Sequence, residues 1–154
     1  MKVAILSDTH LRDGQKLPLA VQDIVDKADW VLHAGDLVSE KPFAGLGGRF
    51  VAVRGNCDYG LDLPERVVFP CQNLRVGIVH GYQFRSLDRL CDSFAEDVPL
   101  LVFGHSHQPV LTRLGDRVLF NPGSPTQRRS QTRCSVGMLH VEGADFEVEH
   151  IYLE

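Results

Sequence analysis

The chain has 154 residues with 16 basic and 20 acidic side chains, a formal net charge of −4 with histidine neutral. No general electrostatic pull therefore draws it to nucleic acid or anionic lipid, and any grip on phosphate has to be local. Its 44% hydrophobic and 23% charged residues are ordinary for a globular protein with one buried core and give no sign of disorder or of a membrane protein.

The N-terminal run MKVAILSDTH is too short for an export signal, and no segment approaches the roughly 20 apolar residues of a membrane span. A cytoplasmic protein without membrane association is expected. Cys57, Cys71, Cys91 and Cys134 form no CxxC pair, so reduced thiols are expected rather than a zinc knuckle or a disulfide framework.

Lys2 to Ser7 is a short apolar run ending in a polar cluster, which predicts a buried strand feeding a loop at Asp8. From Pro18 to Ala28 the spacing of Leu19, Ile24 and Val25, with Ala20, Val21 and Ala28 near them, predicts a helix behind a first-turn proline. WVLHAGD repeats the pattern of apolar strand into acidic loop, and FVAVRGNCD does so again after a glycine-rich connection at Gly45 to Gly48. Strand, helix, strand alternation predicts a parallel sheet whose ligand sites lie at the carboxyl ends of its strands.

Beyond residue 65 the chain reads as a series of strands, RVVFP, LRVGIVHG, LLVFGHSH, PVLTRL, RVLFNPGS, CSVGMLHV and FEVEHIYL, with one helix at Ser86 to Phe94. The Gly-Asp turn within LTRLGDRVLF predicts a hairpin. A second, largely antiparallel sheet follows, and no composition shift marks a boundary, so residues 1–154 are expected to form one domain.

Of seven histidines, His10, His80, His105 and His107 fall just past predicted strand ends. Each alone reads as a surface or hydrogen-bonded histidine. Together with Asp8, Asp36 and Asn56, at other strand ends, they read as one set. In extended backbone, residues two apart point the same way, so DTH and HSH can each aim two ligands together. Carboxylate, amide and imidazole donors suit Mn²⁺, Fe²⁺, Ni²⁺ or Zn²⁺ better than Ca²⁺. The set is too large for one ion and divides into two sites if a carboxylate bridges, the arrangement used for phosphoryl displacement.

The blocks DTH, GD, GNCD, HG and GHSH, in that order, resemble those of the calcineurin-like metallophosphoesterases: DxH, GDxxD, GNHD/E, HG and GHxH. The short chain, the GNCD form and the NPGS segment at Asn121 to Ser124 are most similar to the small YfcE-type phosphodiesterases. The resemblance implies a four-layer α-β-β-α sandwich with two central mixed sheets, an α/β fold. It also implies that Asp8, His10 and His107 bind one metal, that Asn56, His80 and His105 bind the other, and that Asp36 bridges, with manganese the first choice. Two divalent ions outweigh Asp8, Asp36 and a bridging hydroxide by about one positive charge, the right sign for a phosphodiester. In-line attack by that hydroxide on a small phosphodiester is the expected reaction, with a monoester as the lesser substrate.

Two departures stand out. Where the family carries a second acid after GD, this chain has LVSE, and Glu40 is left unassigned. Cys57 replaces the histidine usually thought to contact phosphate and protonate the leaving oxygen, a task a neutral thiol performs poorly.

Asn56, Cys57 and Asp58 are the candidate catalytic residues. Asp58 either shapes a turn or is an acceptor orienting a ligand or Arg54. His33, His140 and His150 read as structural. Arg128, Arg129 and Arg133 form either a solvated loop, a grip on substrate, or a subunit contact in a homo-oligomer. A non-catalytic scaffold like the retromer subunit of this fold, and a nuclease of the same superfamily, are the alternatives. The nuclease is disfavoured by the short acidic chain, for which stable nucleic-acid binding is not expected.

Overall fold

The computed structural model describes residues 1–130 and 133–153. In chain order the elements are β1 (Lys2–Leu6), α1 (Leu19–Lys27), β2 (Trp30–His33), a 3₁₀ segment (Lys41–Arg49), β3 (Phe50–Ala52), β4 (Arg66–Cys71), β5 (Leu74–Val79), α2 (Leu87–Asp92), β6 (Leu100–Val102), β7 (Pro109–Leu114), β8 (Arg117–Pro122), β9 (Ser135–Glu142) and β10 (Asp145–Tyr152). They build two five-stranded sheets, ordered β10-β9-β1-β2-β3 and β4-β5-β6-β8-β7.

Strand alternation decides the layering. In β1, Val3 and Ile5 join Leu32 of β2, Val76 and Ile78 of β5, Leu100 and Val102 of β6, and Val118 and Phe120 of β8 in the core between the sheets. Their neighbours Ala4 and Leu6 face the other way, onto Val21 and Val25 of α1. Leu101 and Leu119 likewise turn outward from the second sheet, onto Leu90 of α2 and Phe94. Both faces of the central strands are therefore covered, which is why β1 and β6 read as unbroken apolar runs. The outcome is the expected α-β-β-α sandwich.

Three details differ from the sequence reading. Leu19 opens α1 but is 90% exposed, because the face that meets the sheet is carried by Val21, Val25 and Ala28. The last two strands join the first sheet, β9 running antiparallel beside β1; alternation shows that a strand has a buried face but not which sheet supplies it. The second sheet is evenly mixed, since β5, β6 and β8 run parallel at its centre while β4 and β7 are antiparallel edges. The β7–β8 hairpin is present, with positive φ at Gly115 and Leu114 paired to Arg117 across its two-residue loop.

All four cysteines are free, and among the described residues no helix is long and apolar enough to cross a membrane.

Candidate metal centre

The carboxyl ends of β1, β2, β3, β5 and β6 open on one edge, and the loops leaving them carry the seven predicted ligands. Asp8, Asp36, His80 and His107 are buried, His10 and His105 partly so, and Asn56 lies at the exposed rim. The backbone gets them there by another route than the one expected. Asp8, His10, Asp36, His105 and His107 all have positive φ, between 47° and 74°, so DTH and HSH are not extended. Left-handed conformations cost non-glycine residues energy and collect at functional sites. Here they turn His105 and His107 apart: His107 joins Asp8 and His10, within 4.8 Å of one another, while His105 Nδ1 lies 3.2 Å from Asn56 Oδ1.

Asp36 sits between the two groups. Its Oδ2 is 3.5 Å from His10 Nε2 and 3.3 Å from His80 Nε2. Asp8 Oδ1 faces three imidazoles, at 3.5 Å from His107, 3.8 Å from His80 and 3.9 Å from His10. Despite this crowding, Asp8 Oδ1, His10 Nε2, His80 Nε2 and both ring nitrogens of His107 are buried without a hydrogen bond among the described residues. Buried polar atoms are nearly always paired, so the four that converge, Asp8 Oδ1 and the Nε2 atoms of His10, His80 and His107, have the form of ligand atoms for a bound cation; His107 Nδ1, on the far edge of its ring, is not one of them. Their chemistry, carboxylate oxygen with imidazole nitrogen, fits a borderline divalent cation.

Electrostatics agree. Burial pushes Asp8 up to about 6 and His107 down to about 4. Burial also lowers His10 and His105. These imidazoles are therefore neutral at pH 7, the form in which they ligate. His80 goes the other way: burial would lower it, but the Asp36 and Asp8 carboxylates outweigh that and raise it. Burial alone would raise Asp36, yet His80, the Cys57 N–H and His10 hold it below the usual carboxylate range.

The residues after β3 act mainly through their backbone and supports. Asp58, 3% exposed, accepts from the N–H groups of Asp36 (2.8 Å), Val38 (2.8 Å) and Gly55 (2.7 Å). It thus positions the loop that carries Asp36. It does not orient Arg54, which pairs with Glu65 at 2.8 Å. Cys57 N–H donates to Asp36 Oδ1 at 2.8 Å. Its thiol is pushed up by burial and then by Asp36, so it stays neutral near pH 7 and is no thiolate nucleophile. Glu40 is exposed.

Residues 1–144 match the sequence profile of the calcineurin-like phosphoesterase superfamily domain. The chain belongs to that superfamily. A probable metallophosphoesterase of Methanothermobacter thermautotrophicus is 37% identical, over 98% of this chain and 92% of its own. Phosphodiesterase YfcE of Escherichia coli is 30% identical, over 90% and 87% respectively. Among solved structures, wild-type Vps29 of Entamoeba histolytica complexed with Zn²⁺ superposes with a TM-score of 0.79 at 21% identity, over 99% of both chains; at that identity the likeness is one of fold. The superfamily is metal-dependent, and the Asp and His clusters of this chain can hold metal.

Several supporting residues escaped the sequence reading. Ser7 Oγ donates to Asp8 Oδ2 at 2.8 Å, and His105 N–H donates to the same oxygen at 3.0 Å, which leaves Oδ1 for the cluster. Ser124 Oγ donates to the carbonyl of Asp8 at 2.8 Å and Thr126 Oγ1 to that of Thr9 at 2.7 Å. Asn121 Nδ2 donates to the Gly104 carbonyl at 3.1 Å. The NPGS segment therefore clamps the DTH and GHSH loops together. A side chain at Gly104 would overlap the Ser7 hydroxyl, and one at Gly55 the Asp36 carboxylate. The readable signal was the NPGS segment, which carried part of the resemblance but was given no role.

His33 is structural, as expected, bonded at both ring nitrogens. His150 stacks on Phe120 and donates to the Asn121 carbonyl at 2.7 Å. His140 is exposed, 3.9 Å from Glu149. In the arginine run, Arg129 Nη1 donates to the His105 carbonyl at 3.1 Å and its charge reaches His10, His105 and His107. Arg133 lies over the Tyr152 ring at 5.1 Å. Gln131 and Thr132 of that run lie outside the described residues.

Proposed function

We propose that the chain is a phosphodiesterase working with two divalent cations, Mn²⁺ first among them, with Ni²⁺, Fe²⁺ and Zn²⁺ as alternatives. The observation that carries the reading is the cluster of four buried atoms unpartnered among the described residues, Asp8 Oδ1 and the Nε2 atoms of His10, His80 and His107, at the loop edge. Asp8, His10 and His107 would hold one cation, Asn56, His80 and His105 the other, and Asp36 would serve both, a reading supported by its distances of 3.5 Å to His10 and 3.3 Å to His80. When bound, such a pair supplies a water acidified toward neutral pH and positive charge for the phosphoryl oxygens.

This chain's residues do the rest. Asp58 and the Cys57 N–H fix Asp36, Ser7 and the His105 N–H fix Asp8, and Arg129 adds positive charge to the His105 side of the mouth. Cys57, a neutral thiol in the place of a histidine, donates a proton poorly, so diesters with good leaving groups are the expected substrates. The likeness to YfcE supports the diesterase reading.

The scaffold reading rests on a likeness of fold. Because a Vps29 structure holds Zn²⁺, metal content alone does not separate the two; turnover does. Metal-stripped protein reloaded with each of these cations should hydrolyse a p-nitrophenyl diester faster than the monoester, with Asp36→Asn as blank. Undiminished activity in stripped protein would overturn the metal reading; no turnover with any cation would leave the scaffold.

A further inference from the structure

Tyr82 leaves β5 two residues after His80 and is 40% exposed, one of only a few large apolar side chains so open. Its ring centroid lies 5.9 Å from that of His80 and 6.4 Å from that of His105, each at 52°. Those two imidazoles belong to one half of the donor cluster and lie 5.3 Å apart edge to face. Tyr82 is therefore the aromatic wall of the mouth on the side of Asn56, His80 and His105.

The turn that carries it is fixed. Gly81 takes φ +105°, its N–H donates to Gln83 Oε1 at 3.1 Å, and Phe84 N–H donates back to the Gly81 carbonyl at 3.2 Å. Phe84 itself packs against the cluster of Leu90, Phe94 and Phe103. A planar ring held on a rigid turn, half of it in water and beside the phosphate-binding chemistry, is a stacking surface with little ordering cost left.

We infer that Tyr82 receives a planar aromatic substituent of the substrate, so that the esters favoured by this site are aryl or nucleoside phosphodiesters rather than alkyl ones. This rests on the phosphodiesterase reading. A ring 5.9 Å and 6.4 Å from the imidazoles that would hold the cation is close enough to meet a planar group joined to the phosphate that cation would bind. Stacking of a base on an aromatic side chain is worth roughly 1–3 kcal/mol, and aromatic pairs in general about 0.5–1.5 kcal/mol. A preference on the order of tenfold over an alkyl ester follows from these values.

The test measures binding of monoester products to the metal-loaded protein by calorimetry: adenosine 5′-monophosphate, phenyl phosphate and methyl phosphate. Both aromatic esters should bind about tenfold tighter than methyl phosphate. Tyr82→Phe should keep that ratio, and Tyr82→Ala should reduce it to within about twofold. Tyr59→Ala, removing a still more exposed ring (87%), should leave it unchanged. If adenosine 5′-monophosphate alone is favoured, the group is a nucleobase; if phenyl phosphate matches it, any aryl group serves. An equal ratio in wild type and Tyr82→Ala, or no preference in wild type, would overturn the inference. Hydrolysis of methyl p-nitrophenyl phosphate by the wild type, assayed in parallel, reports on the phosphodiesterase reading separately, since a binding ratio can stand without turnover and turnover without the ratio.

Discussion

His33 and His107 are both wholly buried, yet they occupy opposite situations. His33 Nδ1 accepts from the Gly35 N–H at 3.1 Å, so its proton is on Nε2, which donates to Thr9 Oγ1 at 3.0 Å. Among the described residues, neither nitrogen of His107 has a hydrogen-bond partner. An unpaired buried polar group costs about 1–3 kcal/mol. The fold thus satisfies its imidazoles where they serve structure and leaves them bare where they face one another. The cost of the bare set is what a bound cation would offset, and it separates a ligand shell from a histidine-rich interior.

Substituting the two histidines should break the comparison most sharply. His107→Ala should lower cation affinity beyond the roughly 100-fold that losing an outer partner costs, while metal-free stability stays level or rises. His33→Ala should do the reverse, costing roughly 3 kcal/mol of metal-free stability through a cavity and two stranded polar groups. The pH dependence follows the same division. Burial takes His33 down to about 3, below its unfolded value. Its contribution is therefore complete above about pH 6.5 and is lost as the pH falls, by roughly 3 kcal/mol between pH 6.5 and 4. Urea midpoints at pH 7 and 4.5 for wild type and His33→Ala check this: the acid drop should shrink in the variant.

How much of this was visible beforehand follows from the same residues. The sandwich layers and the gathering of the seven candidate ligands at one edge were legible because strand ends, alternation and the DTH, GD, GNCD, HG and GHSH blocks are local. What was not legible was non-local. His107 is brought to Asp8 by loops from different sheets, and the left-handed turns at both motifs follow from that packing, not from residue type. Asp58 read equally as a turn residue or as an acceptor orienting a ligand or Arg54, because the donors that decide between them lie on the Asp36 loop, 22 positions away. The destination of β9 and β10 was equally hidden, since their alternation suits either sheet.

Asp58→Asn tests whether the support matters as the ligands do. It keeps the shape and loses the charge that three N–H groups share, so cation affinity should fall about 10–100-fold, with metal-free stability lower by roughly 2 kcal/mol. Isothermal titration with Mn²⁺ and thermal melts read the two effects separately. Smallest is the change expected from Cys57→His, which restores a proton donor beside Asp36. Turnover of diesters with poor leaving groups should rise about tenfold while p-nitrophenyl diesters change little. The measurement is the dependence of kcat on leaving-group pKa, and a uniform shift along the series would count against the role assigned to position 57.

The most direct measurement is diffraction from crystals grown with Mn²⁺, with anomalous scattering to locate the ions. Two peaks should appear, one among Asp8, His10 and His107 and the other among Asn56, His80 and His105, with Asp36 touching both. A loop edge with no anomalous peak at saturating Mn²⁺, or ions held elsewhere while these donors stay bare, would contradict the central claim.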